Sequence, residues 1–342
     1  MACGPARGGS EERRPAIVVL GCATPRPVRA RMSSTPASRP VPGATLDPQG
    51  LLAATIAFAI WGVFPLYLKP LAEVPALEVM AHRVAWCCVF VLSWLGVRGE
   101  LATVRAALVD ADTRRRLLLS TSLISVNWFT YVWAVANGHV IESSLGYFIN
   151  PLLNVLLGVV FLKERLNRAQ WVAVGFAVAG VVYLTAQTGR LPWIALLLAC
   201  SFGFYGFTRK LARVEAVAGL GAETTLVAPF LAAWLIWLAA NGDGAMGHTS
   251  RTIDLLLIGS GIITALPLAL FAFGARRIPY STVGVIQYLG PTLQLLCGIF
   301  VFGEPFPLER ATGFVLIWVG LAVYLADGLH HARRMRPLAA QR

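Results

Sequence analysis

Charge is what this sequence has least of. Only 13% of its 342 residues are Asp, Glu, Lys or Arg, about half the share of a soluble globular domain. The 17 acidic residues also avoid the middles of the long apolar runs, and Glu78, Glu142 and Glu223 lie near the ends of theirs. A carboxylate pair at mid-membrane for metal or acid–base chemistry is thereby excluded, and any proton coupling would have to use Glu78, Glu142 or His82. No HExxH, GxSxG or DDxxD motif occurs, and no GxxxxGK(S/T) loop for direct ATP coupling within the chain. The six cysteines (Cys3, Cys22, Cys87, Cys88, Cys200 and Cys297) form no CxxC or Cys/His spacing. We expect neither a disulfide framework, nor a bound metal, nor a cofactor.

What the chain has in quantity is apolar length, with 57% of its residues hydrophobic. Taking roughly 20 apolar residues per membrane crossing, ten candidate spans follow: 50–68, 76–97, 116–136, 141–162, 169–186, 191–208, 217–240, 252–273, 280–302 and 310–327. Basic residues outnumber acidic ones 29 to 17, a balance that could suit a nucleic acid. Their placement explains them better. With the N-terminal tail cytoplasmic, 24 basic residues fall in inner segments, against Lys69, Arg190, Arg251 and Arg310 in outer ones, and Arg83 lies within a span. That asymmetry is the positive-inside rule, and it predicts both termini in the cytoplasm.

The chain also repeats. A shift of 140 residues superposes Pro151 on Pro291, Leu153 on Leu293, Gly158 on Gly298, Glu164 on Glu304 and Gly180 on Gly320, and a shift of 141 pairs Gly62 with Gly203 and Lys69 with Lys210. The boundaries that follow are 50–186 and 191–327, two five-helix repeats flanked by a disordered Arg/Pro-rich tail over 1–49 and a basic tail over 328–342. Within the first tail, Met32 offers an alternative start. Because five is odd, the second repeat enters the membrane the other way up, an inverted arrangement that points to a carrier. The expected fold is all-α, polytopic, with ten transmembrane helices as two inverted five-helix repeats.

Two polar stripes mark candidate site residues. Ser143, Tyr147, Asn150, Asn154 and Gly158 share one face of the fourth span, and Tyr280, Gly284, Gln287, Pro291, Gln294 and Gly298 one face of the ninth. The 140-residue shift relates Tyr147 to Gln287 and Asn154 to Gln294, so the stripes are expected to face each other across a central cavity. The alternative is that these amides only bond helix to helix, with the glycines allowing close packing. Asn127, Trp128, Tyr131 and Trp133 in the third span, and Trp61, Phe64 and Tyr67 in the first, could line an organic-substrate pocket or serve as interfacial rings. Arg83, about seven residues inside the second span, needs a partner, because an unpaired arginine there costs roughly 2.5–3.5 kcal/mol. Glu78 and His82 are near it in sequence, and the repeat places Glu223 opposite. Arg83 would hold an anionic substrate group, act as a gate, or form a buried structural pair. Glu164 and Glu304, just ahead of the helices that follow them, read as structural carboxylates at helix N-termini.

With these residues in view, the chain resembles the drug/metabolite transporter superfamily, specifically the EamA-type transporters of the RarD group. The resemblance covers roughly residues 50–327 and rests on the two repeats, on Glu164 and Glu304 each sixteen residues before a glycine, and on runs such as AFAIWGVFPLYLK and IQYLGPTLQLLCGIFVFGEP. It implies a ten-helix permease of the cytoplasmic membrane enclosing its substrate between the repeats, and it supplies no substrate. The function expected is secondary transport of small organic metabolites or amphipathic drugs by alternating access. The alternatives are an intramembrane enzyme acting on lipid-linked substrates and a non-transporting membrane sensor. The expected partners are a small-molecule substrate and the lipid bilayer, with no nucleic acid; a homodimer is left open.

Overall fold

The computed structural model describes residues 47–162, 166–212, 214–278 and 280–339. All but the last three residues of the expected N-terminal tail, and Glu164, lie outside them. The described residues form helices and connecting turns, with no strand among them: α1 Pro48–Leu68, α2 Ala76–Val97, α3 Leu101–Val109, α4 Ala111–Ala136, α5 Val140–Leu162, α6 Arg168–Thr188, α7 Trp193–Ala212, α8 Ala216–Asn241, α9 Arg251–Ala275, α10 Tyr280–Ile286, α11 Leu289–Phe300 and α12 Leu308–Ala339. Eight helices, α1, α2, α4, α5, α6, α8, α9 and α12, are long and apolar enough to cross a membrane. The apolar parts of α7 (Trp193–Arg209) and α11 are shorter.

Local chemistry sets the ends. Asp47 caps α1 by accepting from the Gln49 N–H at 3.1 Å, with Pro48 in the first turn, so the helix begins inside the segment expected to be tail. Asp110 accepts from the Thr113 N–H at 2.8 Å, which starts α4 at Ala111 and carries Arg114, Arg115 and Arg116 into the helix. Asn167 and Gln170 form a reciprocal capping box at the head of α6. The short helix α3 was not expected, since nine residues fall well below a span. The basic segment after residue 327 continues as helix to Ala339.

The ninth span is broken. A turn at Gln287 and Tyr288 separates α10 from α11, four residues ahead of Pro291, whose ring clashes with the carbonyl of residue i−4 and offers no N–H. Pro151, its counterpart under the 140-residue shift, is tolerated inside an unbroken α5. Gly290, where the first repeat has Asn150, adds a residue with weak helix preference at the break.

Packing runs mainly between the halves of the chain. Helix α1 lies against α9 and α11, α7 against α4 and α5, α2 against both α8 and α9, α5 against α11, and α6 against α12. Glycines sit at several tight seams between helices. A Cβ at Gly261 of α9 would sit 2.4 Å from the Trp86 carbonyl carbon of α2, and one at Gly298 of α11 would sit 2.7 Å from Ile141 Cγ1 of α5. Backbones that near exclude lipid and gain dispersion contact, which is how apolar helices associate without a hydrophobic drive between them.

Candidate functional site

The amide stripe of α5 turns toward α4 and α7. Asn127 is buried and fully engaged: its amide donates to the Leu198 carbonyl and to Ser201 Oγ, both at 3.0 Å, and its Oδ1 accepts from the Tyr147 hydroxyl at 3.4 Å. Asn150 is buried with an Oδ1 that has no hydrogen-bond partner. Asn154, one turn on, is exposed and lies beside Gly203 of α7.

The other stripe turns toward α1. Gln294 is buried, its amide donating to the Trp61 carbonyl at 3.0 Å while its Oε1 has no partner. Trp61 is half-buried beside Phe58 and Phe271, with ring centres 5.3 and 5.9 Å away. Gln287 is half-buried at the break between α10 and α11. The hydrogen bonds thus carry Gln294 to α1 and Asn127 with Tyr147 to the α4–α5–α7 group, rather than from stripe to stripe, and α5 meets α11 through Gly298 and Ile141.

Rings connect these groups. Phe64 stacks on Tyr131 at 5.9 Å, Tyr131 meets Tyr147 at 5.9 Å, Tyr147 meets Phe202 at 6.1 Å, and Phe202 meets Tyr205 at 5.9 Å. The chain of rings joins α1, α4, α5 and α7. Such spacings suit mutually packed aromatic edges and faces.

At one end of this chain stands Arg83, 6% exposed. Its Nε donates to Thr264 Oγ1 at 2.7 Å, and its guanidinium lies over Phe64 at 4.7 Å and Trp128 at 4.6 Å. The carboxylates expected as its partners are occupied elsewhere. Glu78 accepts from the Ala245 N–H at 2.6 Å and stands 3.9 Å from His82. At the other end of the ring chain Glu223, 2% exposed, accepts from Ser120 Oγ at 2.6 Å and the Tyr205 hydroxyl at 3.3 Å, with Arg209 Nε at 3.5 Å. The repeat shift relates Arg83 to Glu223 by position, but position in a repeat does not make two residues neighbours, and Arg209, one turn after Tyr205 on α7, reaches Glu223 first. Arg209, Tyr205, Ser120 and Thr264 had not been singled out in the sequence. A lone Ser or Thr in an apolar helix carries no signal of its own, whereas Tyr205 and Arg209 at i and i+4 on the helix facing Glu223 could have been noticed.

Two hollows open among these helices. One, of about 110 Å³, is lined by His139, Glu142, Arg190, Trp193 and Arg310, where the ends of α4 and α6 meet the starts of α5, α7 and α12. The other, of about 10 Å³, lies between Val84, Thr121, Trp128 and Glu223 and has room for about one water. Glu304 departs from its expected role: its carboxylate accepts from the Val140 and Ile141 N–H groups. It therefore caps α5 rather than the helix that follows it, because the loop after α11 folds back over the start of α5. Burial pushes its acid range up, against the pull of those two donors. Among the described residues no group of His, Cys, Asp or Glu is placed to hold a metal ion.

Comparison with known proteins agrees with this architecture. The profile of the EamA-like transporter family matches twice, over residues 48–186 and 191–326. An uncharacterized transporter of Vibrio cholerae is 42% identical over 84% of this chain and 96% of its own length. The protein RarD of Escherichia coli is 41% identical over 84% and 97%, and the chloramphenicol-sensitive protein RarD of Pseudomonas aeruginosa is 32% identical over 85% and 97%. One solved crystal structure, 21% identical, superposes with a TM-score of 0.53 over 80% of this chain and 96% of that one, a likeness of fold. With both halves matched and such relatives aligned along nearly their whole length, this multi-pass membrane protein belongs to the EamA-type transporters of the drug/metabolite transporter superfamily, in the RarD group.

Proposed function

We propose that the chain is a secondary carrier of small organic metabolites or amphipathic drugs, working by alternating access across the cytoplasmic membrane. Ten crossings, the broken α10–α11 pair counting as one, form two inverted five-helix repeats with both termini inside. The observation that carries this reading is the symmetry of helix neighbours. Exchanging the halves turns the packing of α1 on α9 and α11 into the packing of α7 on α4 and α5, while α5 with α11, α2 with α8 and α6 with α12 are each exchanged for themselves. A bundle so related to itself has two equivalent shapes, one open to each side, around a site near its midplane.

Three further features support it. The break at Gln287 and Tyr288 belongs to the kind of discontinuous helix that surrounds substrate sites in carriers. The rings from Phe64 to Tyr205, with the unpartnered Tyr131 hydroxyl and Asn150 Oδ1 on the same helices, offer a flat organic solute an apolar wall with a few polar anchors. The basic residues favour the inner segments by 24 to 4. The name chloramphenicol-sensitive, borne by the Pseudomonas relative, describes a sensitivity rather than a cargo.

Reconstitution of purified protein in liposomes tests the reading, with counterflow of labelled amino acids, aromatic metabolites and amphipathic drugs as the readout. Saturable counterflow that falls in Asn154→Ala and Gln294→Ala is expected. Folded protein that moves none of these solutes would favour an intramembrane enzyme or a sensor instead.

A further inference from the structure

A guanidinium inside a membrane-spanning bundle is stable only when something answers its charge, and around Arg83 the answer is incomplete. Thr264 takes the Nε, while Phe64 and Trp128 lie against the guanidinium. The Nη1 is buried and finds no acceptor. Among the described residues no carboxylate stands within ion-pair reach of it. Close by, the buried hydroxyl of Tyr131 is likewise without a partner. The two orphaned groups share a wall: Phe64 carries the guanidinium at 4.7 Å and stacks on the Tyr131 ring at 5.9 Å.

A bundle that only needed Arg83 for packing would lose nothing by supplying an acceptor for Nη1, since a buried donor left unmade is costly. We propose that Arg83 and Tyr131 form the receptor for the carboxylate of a cargo whose remaining part is flat and apolar. This rests on the carrier reading above and narrows it to a substrate class. The chemistry fits in each part. A guanidinium presents donors in a planar fork that matches a carboxylate, and Thr264, by holding Nε, leaves the Nη groups for the ligand. A phenol can donate one further hydrogen bond. Phe64, Trp128, Tyr131 and Tyr147 supply ring surface for the rest of the molecule.

The placement ties recognition to movement. The side chain on α2 touches α1 through Phe64, α4 through Trp128 and α9 through Thr264, so it joins both halves of the bundle. An anion bound there neutralises the charge those helices otherwise hold through rings and one hydroxyl, and so changes the balance between their arrangements.

The test compares phenylacetate with phenylacetamide, which share a ring and a size and differ in charge. Binding to the purified protein in detergent micelles is measured by calorimetry and by tryptophan fluorescence. The acid is expected to bind about tenfold or more tighter than the amide, as charge-assisted hydrogen bonds allow. That preference should vanish in Arg83→Gln and shrink in Arg83→Lys, which keeps the charge and loses the fork. Tyr131→Phe should weaken the acid and spare the amide, which keeps the proposal testable if the arginine variants do not fold. Wild-type protein that binds the two equally, or binds neither, overturns the receptor, as does a preference unchanged in Arg83→Gln. Counterflow in liposomes separates this outcome from failure of the carrier reading. Amide carried as fast as acid overturns the receptor and leaves a carrier, whereas acid preference in micelles without counterflow of any solute supports the receptor and overturns the carrier.

Discussion

Arg209 of α7 lies directly across Gly219 of α8: a Cβ at Gly219 would stand 1.8 Å from Arg209 Nη1. The bare backbone there is what lets the guanidinium reach Glu223, whose Oε1 is 3.5 Å from its Nε. Gly219→Ala should therefore push Arg209 off Glu223 and lower the melting temperature of the purified protein. Arg209→Gln should cost more, about 3–5 kcal/mol, because it leaves a buried carboxylate unanswered. Glu223→Gln on the Arg209→Gln background should recover part of that loss, since an amide still accepts from Ser120. Thermal melts of the single and double variants check the order, and a double variant no more stable than Arg209→Gln alone would contradict the pairing.

A second stability prediction concerns the seam between α2 and α9. The Cβ of any residue at 261 would press on the Trp86 main chain at 2.4 Å, and backbone cannot swing aside as a side chain can. Gly261→Val should cost at least about 1–3 kcal/mol as overpacking, read as a lower melting temperature. Gly206, with nothing near its Cβ position, is the control, and Gly206→Ala should be neutral or slightly stabilising.

The break in the ninth span yields a functional prediction. Pro291→Ala removes the ring clash and restores an N–H, at a position where proline disfavours helix by about 3 kcal/mol relative to alanine. Helices α10 and α11 should then tend to join, with counterflow falling several-fold while the protein stays folded. Pro151→Ala, in the unbroken α5, should have the smaller effect. Equal effects would argue that the break plays no part in transport.

Much of the helical layout was legible in the sequence, because apolar length is a coarse signal that survives without knowledge of neighbours. The stretch 76–97 coincides with α2, and, apart from the broken ninth span, the others differ from their helices mainly at the ends. Those ends move where capping decides: Asp110 and its bond to Thr113 begin α4 five residues before the apolar run does. Partner choice was much less legible. Sequence and repeat position put Arg83 with Glu78 or Glu223, whereas in three dimensions it meets Thr264 and two rings. The sequence sets Glu304 against its own next helix, and a fold-back of the loop gives it to α5. The Arg83–Thr264 and Glu304–Ile141 pairings are made across 181 and 163 residues of sequence, where periodicity carries no information. The break at Gln287 was hidden for a different reason: Pro291 is visible, but its counterpart Pro151 shows that proline alone does not decide it.

The proposed topology makes a labelling prediction. Thr249, between α8 and α9, and Ala102, in α3, are both exposed, and the charge asymmetry assigns them to opposite sides. With the exposed Cys200 replaced by Ser and the tail cysteines Cys3 and Cys22 by Ala, Thr249→Cys in intact cells should react with a membrane-impermeant maleimide. Ala102→Cys should react only after the cells are opened. The reverse pattern would invert the assignment of both termini.

Alternating access as proposed requires the seam between α5 and α11, which the exchange of halves maps onto itself, to part and rejoin for a solute to cross. Gly298 of α11 stands so close to Ile141 of α5, 2.7 Å from a built Cβ to Cγ1, that cysteines at these two positions are within range of a disulfide. The most direct measurement is counterflow through the Ile141→Cys, Gly298→Cys protein, with the neighbouring Cys297 replaced by Ala, before and after oxidation and again after reduction. Flux that stops on oxidation and returns with reductant, while each single variant transports throughout, is the result alternating access predicts. Undiminished flux through fully oxidised protein would contradict it.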